Sequence, residues 1–260
     1  MGGRNLILFE GNGILAADIL RRIIENHNQK ACDVLVNYSA EQHNPELITF
    51  CNNRKIECGS RGFDPTFVEQ LNHFGVDQII SIKGRRIIPI DKINCEESNT
   101  FNYHPSLLPR FRGCYSVPWA IINGQEITGY TLHQITMETD KGAILDQKKV
   151  GISDRDTAFS LYAKIDSEFC SSFDGFYRKF LRNELGAMEQ DSGGEYFGRE
   201  LPYGGKINLS WSRTQIERFI RAMSFPPHRG AELDIRGQTY EVSSYSDIIK
   251  LTEDYENICI

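Results

Sequence analysis

Over its first two thirds the chain alternates short apolar runs with stretches whose apolar residues recur every three or four positions. That alternation directs it to an α/β sheet. Residues 6–9 read as a buried strand, and Ile14, Leu15, Ile19, Leu20, Ile23 and Ile24 as the stripe of the following helix. Residues 34–36 form a second strand. A helix is expected over 45–54 with Pro45 in its first turn. Another fits 64–74, with Asp64 as N-cap, Pro65 at the first helical position and Gly75 as the stop. Strands follow at 78–82 and 100–103, the latter running into a proline-punctuated loop, 104–113. A helix over 116–122 ends at Asn123-Gly124, and strands at 128–135 and 143–150 flank a loop around Asp140. Asp156 is expected to cap a long helix whose stripe is Ala158, Leu161, Ile165, Phe169, Phe176 and Phe180. Those aromatics read as core or subunit contact.

Between residues 186 and 205 six glycines mark a linker or a wrapped surface loop. Beyond it lie a helix over 214–223 and short strands near 231–235 and 239–242. The expected organisation is a Rossmann-like domain over 1–185, mostly parallel with helices on both faces, a linker over 186–210, and a small β-containing C-terminal subdomain over 211–260. No internal repeat is visible.

Charge and cysteine content narrow the function classes. With 29 Lys and Arg against 35 Asp and Glu, the net charge is −6, which disfavours broad nucleic-acid binding. No apolar run approaches the roughly 20 residues of a membrane span. The four apolar residues 6–9 are too few for a signal-peptide core. Seven cysteines without a C-x-x-C spacing argue against a disulfide framework and a structural zinc site, so reduced thiols and a cytoplasmic location are expected. Cys51 and Cys58 near His43 have no common metal-ligand spacing.

Three stretches could carry chemistry. Gly11-Asn12-Gly13-Ile14-Leu15-Ala16 fits G-x-G-x-x-A, but the acidic residue that would hold a dinucleotide ribose is missing after the second strand. The turn lines another ligand, through Asn12, or is purely structural. Asn102 and His104 stand two apart on a strand and so share a face, at the edge where open α/β sheets bind ligands. Asp140 lies in a tight loop with Gly142 as the turn residue. Asparagine, histidine and aspartate together make the parts list of acyl transfer: an oxyanion donor, a proton-handling imidazole and a carboxylate that orients it.

The stretch 81–142 resembles the folate-dependent formyltransferases. Their pattern N-x-H-x-S-L-L-P-x-x-x-G is carried by Asn102, His104, Ser106, Leu107, Leu108, Pro109 and Gly113. The later G-x-T-x-H and D-x-G are carried by Gly129, Thr131, His133, Asp140 and Gly142. Residues 196–207 are similar to the family's Y-x-x-R-x-P-x-x-G-x-I linker. The resemblance implies 10-formyltetrahydrofolate as co-substrate, no metal, an amine acceptor, and Asn102, His104 and Asp140 as the catalytic trio. It also implies a pterin held between Asp140's loop and the segment Lys83, Gly84, Arg85, Arg86, Ile87 and Ile88, where the sequence departs from the family's usual residues. His133 is a structural or substrate-side partner. Arg110 and Arg112, like Lys83, are either solvated or contact a diphosphate.

For the acceptor, the stretch after Tyr203 has seven Lys and Arg against eight Asp and Glu, without the basic footprint that tRNA requires. Sugar N-formyltransferases acting on nucleotide-linked amino-dideoxy sugars are similar in length and in the Ile220–Pro227 stretch, and are homodimers serving O-antigen and polysaccharide synthesis. A methionyl-tRNA formyltransferase-like enzyme, a formyltetrahydrofolate hydrolase and a non-catalytic binding protein are the alternatives.

Overall fold

The computed structural model describes residues 5–27, 32–41, 44–228 and 230–257. His43, and with it the Cys51/Cys58 metal reading, lies outside the described residues, as do residues 1–4 and Cys259. The chain forms two compact units that interleave, a division that linear boundaries do not anticipate. One takes residues up to His104, Tyr130–Lys148 and Asp166–Gly193; the other takes Pro105–Gly129, Lys149–Ile165 and the chain from Gly194 onward.

The first unit is built on a seven-stranded sheet. Its strands are β1 (Asn5–Gly11), β2 (Cys32–Asn37), β3 (Glu57–Gly59), β4 (Val76–Ile82), β5 (Thr100–His104), β7 (Ile127–His133) and β8 (Ile144–Gly151), β6 lying elsewhere. They run in the order β3-β2-β1-β4-β5-β7-β8. The pairs from β3 to β5 are parallel, and β5–β7 is antiparallel. The order reverses between β1 and β4, and the carboxyl ends of strands at such a switch point are where α/β sheets place ligands. The apolar β1 run is buried because a parallel strand is covered on both faces.

The helices are α1 (Gly13–Asn26), α2 (Pro45–Arg54), α3 (Pro65–Phe74), α4 (Ser116–Ile122), α5 (Ala158–Leu181), α6 (Arg213–Met223) and α7 (Tyr245–Asn257). Asp64 caps α3 by accepting from the Phe67 N–H at 3.0 Å, and Gly75 ends it in the left-handed region. Two expectations need correction. Ile14 is exposed in the first turn of α1. Asp156 stands before the capping position of α5, because Thr157 and Ser160 exchange backbone-to-hydroxyl bonds at 3.1 and 3.2 Å. Asp156 instead accepts from the Ser160 hydroxyl and the Lys164 ammonium, and it is held down to about 2 by those donors against its burial.

The α5 stripe is core. Phe173 fills the seven-residue step between Phe169 and Phe176, and Tyr177 adds to the buried row beyond it. Phe101 on β5 meets Phe176 and Phe180 edge-on at 5.2 and 5.1 Å, and Tyr103 stacks on Phe169 at 4.4 Å. Because side chains alternate along a strand, this grip on residues 101 and 103 turns 102 and 104 to the opposite face.

In the second unit β6 (Arg112–Gly113) pairs with β9 (Tyr196–Phe197), so the glycine-rich stretch is a wrapped segment here. A Cβ on Gly113 would sit 2.1 Å from the Phe197 carbonyl oxygen, which accounts for that motif glycine. The strands β10 (Ala231–Ile235) and β11 (Gln238–Val242) form a hairpin turned by Arg236-Gly237 in positive φ. Ser212 and Gln215 close a capping box on α6. Among the described residues, no helix is long and apolar enough to cross a membrane.

Phe101→Ala is expected to destabilise the protein by about 3–5 kcal/mol, the cost of emptying a packed aromatic site. Urea denaturation measures it, and a loss under about 1 kcal/mol would mean that the α5 stripe does not anchor β5.

Candidate active site

Three segments of the first unit supply the site: the end of β5, the end of β7 and the loop after β7. Asn102 and His133 are register partners across the antiparallel β5–β7 pair. Their side chains meet, Asn102 Nδ2 lying 3.0 Å from His133 Nε2. His133 Nδ1 lies 2.8 Å from the Gln134 carbonyl oxygen. A carbonyl can only accept, so Nδ1 carries the proton and, in the neutral ring, Nε2 accepts. The Asn102 amide therefore donates to His133, which fixes which end of the carboxamide is NH₂ and leaves its second N–H as a further donor.

Asp140 stands between the two imidazoles. Its Oδ2 is 3.5 Å from His104 Nδ1 and its Oδ1 is 3.4 Å from His133 Nε2. All three side chains are buried. With Nδ1 of His104 directed at a carboxylate, the ring atom placed to take a proton is Nε2. Burial strengthens the pairing, because a carboxylate and an imidazolium removed from water attract far more than they would in it.

The loop that delivers Asp140 is tightly held. Asp140 itself occupies the left-handed region at φ 57. Gly142, expected to be the residue of unusual conformation, has another reason to be glycine: a Cβ there would lie 1.9 Å from the Gln134 carbonyl oxygen. Gln190 Nε2 donates to the carbonyls of Asp140 and Gly142 at 2.9 and 2.8 Å, and Gln134 N–H donates to Ala143 at 2.9 Å. Nothing in the sequence marked Gln190, since its role is set by a contact 50 residues from the loop it pins.

Other expected site residues divide. His133 is buried behind Asn102 and Asp140. Asn12 is also buried, and its carboxamide is spent on the protein. It donates to Lys83 O at 2.9 Å and accepts from Ser39 N–H and Asn44 Nδ2 at 2.9 and 3.2 Å. The Gly13 N–H donates to Asn44 Oδ1 at 2.7 Å. Through Asn12 the glycine turn is thus a staple of three loops. Lys83 pairs with Asp166 on α5 at 2.5 Å, and Tyr103 donates to the same carboxylate at 2.7 Å. Gly84 packs against Ser81 and Glu10, Arg85 is exposed, and Arg86 binds the Tyr38 carbonyl and Ser60 Oγ. Ile88 belongs to the core with Ile90, Ile93 and Ile135, whereas Ile87 is 68% exposed. Arg112 is buried, so it is not a merely solvated arginine, and Arg110 is exposed with its guanidinium over Phe111 at 5.4 Å. Both belong to the second unit.

Comparison with known proteins follows the same lines. A family model described as formyl transferase matches residues 28–169. A GDP-perosamine N-formyltransferase of Brucella melitensis is 40% identical over 178 residues, 68% of either chain. A sugar N-formyltransferase from Shewanella sp FDAARGOS_354 superposes with a TM-score of 0.76 at 19% identity, covering 92% of this chain and 96% of that one. An N-formyltransferase from Helicobacter canadensis, solved in complex with folinic acid and dTDP-3-aminofucose, gives 0.75 at 23% identity over 92% of this chain and 86% of the other. At such identities the superpositions speak for the fold.

Gly142→Ala is expected to displace the 134–143 loop, because the new methyl group cannot share space with a backbone carbonyl. Amide hydrogen exchange at Gln134 and Lys141 should rise at least about tenfold while the β-strand amides keep their protection. Unchanged exchange at both would contradict the close approach.

Proposed function

The chain belongs to the formyl transferase family, and from that premise we propose that it transfers a formyl group from 10-formyltetrahydrofolate to the amine of a nucleotide-linked amino-dideoxy sugar. The observation that carries the reading is the placement of the Asp140 carboxylate between His104 and His133, with the Asn102 amide oriented by the latter. The acceptor class draws on the GDP-perosamine N-formyltransferase likeness and on the acidic balance after Tyr203. A GDP-linked 4-amino-4,6-dideoxyhexose is the first substrate to test, with dTDP-linked sugars next. The product serves O-antigen or related polysaccharide synthesis, and the enzyme works as a cytoplasmic homodimer.

Folate supplies the carbonyl carbon to be transferred. The residues present fit a ring system with apolar faces and polar edges. The segment after β4 and the loop before Asp140 each expose one large apolar side chain, Ile87 at 68% and Met137 at 60%. Residues 84–88 hold the pterin through backbone groups, since the Lys83 and Arg86 side chains are engaged with protein partners.

His104 Nε2 takes a proton from the acceptor amine as its nitrogen bonds to the formyl carbon. The acceptor attacks as the neutral amine, which its ammonium form, of pKa about 8, yields at little cost near neutrality. Asn102 donates its second N–H to the carbonyl oxygen as negative charge gathers there. Asp140 keeps the His104 proton on Nδ1 and stabilises the imidazolium while it lasts. His104 then returns the proton to the departing nitrogen, which restores the neutral ring.

Asn102→Ala should lower kcat about 10²–10³-fold with little change in KM, as loss of an oxyanion donor does. His104→Asn should lower it about 10²–10⁴-fold. Incubation with 10-formyltetrahydrofolate and nucleotide amino-sugars, read by mass spectrometry, checks both and the proposal itself. No added formyl group on any such sugar would overturn the acceptor assignment, and folate release without acceptor would favour a hydrolase.

A further inference from the structure

A polar rank, buried except at half-buried Asn102, crosses five strands: Asn37, Glu10, Ser81, Asn102 and His133 are successive register partners. Partners in register share a face of the sheet. Asn37 spends its side chain on the Arg61 backbone at 3.1 and 2.8 Å, and Asn102 and His133 bond each other. Glu10 is different. It is 0% exposed, and neither carboxyl oxygen has a hydrogen-bond partner among the described residues. It stands on β1, beside β4, at the switch point of the sheet.

The segment after β4 lies directly on this carboxyl. A Cβ at Gly84 would fall 2.8 Å from Glu10 Cγ and 2.6 Å from Ser81 Oγ, so only glycine seats there. Two residues on, the Arg86 guanidinium is 3.8 Å from Glu10 Oε1 while bonded to Tyr38 O and Ser60 Oγ. That guanidinium is the charge facing Glu10; β2 and β4 present neutral Asn37 and Ser81. Burial pushes the carboxyl up to about 7 from 4.5, outweighing the pull of Arg86 and of the nearby Asn37 amide. Glu10 thus stays protonated until about pH 7, where a solvated glutamate would long have ionised.

We propose that Glu10 is a positioning residue for the folate, its neutral carboxyl seating Gly84 and leaving Arg86 on Tyr38 and Ser60, so that residues 84–88 hold the shape the pterin needs. The inference rests on the reading that this segment holds the folate. Once ionised, a buried carboxylate must find a cation or water. The nearest is Arg86, and its shift toward Glu10 draws the segment away from its seat.

Calorimetric titration with 5-formyltetrahydrofolate tests this in the whole protein, without turnover. The wild-type Kd should rise roughly three- to tenfold between about pH 6 and about pH 8.5, within the limit of tenfold per pH unit that one linked proton sets. Glu10→Gln, a permanent mimic of the neutral carboxyl, should keep the low-pH affinity across the range. A flat wild-type profile, or a Glu10→Gln profile that parallels the wild type, would overturn the role of Glu10. Gly84→Ala separates this from the underlying reading. It should weaken folate binding at every pH if the segment holds the folate, whereas unchanged binding in that variant would remove both claims.

Discussion

The pleat of β5 joins the stability of this protein to its chemistry. Odd-numbered side chains, Phe101 and Tyr103, are clamped by the aromatic face of α5, and even-numbered ones, Asn102 and His104, are thereby directed the other way. A one-residue slip in register would exchange the two sets and bury the polar pair in an aromatic core. The core therefore specifies the direction of that polar pair.

Around that strand the site is over-determined. Asp140 is held by its own left-handed backbone, by the close approach of Gly142 to Gln134 and by two hydrogen bonds from Gln190. Asn102 is oriented by an imidazole that is itself oriented by a carbonyl. Such a chain of fixed dipoles costs no reorganisation when charge develops, which is the main physical source of rate in acyl transfer. The strain of a non-glycine residue at φ 57, about 1–3 kcal/mol, is offset by those bonds.

Glu10 shows the other use of burial. Water would satisfy its carboxyl and leave it ionised at neutral pH; burial within the sheet withholds water, and beneath Gly84 the carboxyl is pushed up to about 7. Desolvation makes Glu10 reluctant to carry charge, although the engaged guanidinium of Arg86 stands 3.8 Å away.

Local chemistry was written in the sequence. The capping of α3 by Asp64, the central strand β1, the aromatic stripe of α5 and the family resemblance of residues 81–142 each follow from nearest neighbours along the chain. Elements of two or three residues, such as β3, β6 and β9, show no period, and the mixed polar face of α7 hid that helix. What the tertiary structure alone decided was which polar groups would meet. It made Asn12 a staple between loops, placed His133 behind Asn102, recruited Gln190 to the Asp140 loop and left Glu10 without a hydrogen-bond partner among the described residues. Those outcomes depend on distances between residues far apart in the chain. Periodicity and spacing carry no information about them, because a side chain's hydrogen-bonding capacity is fixed by its type and its partner only by the fold.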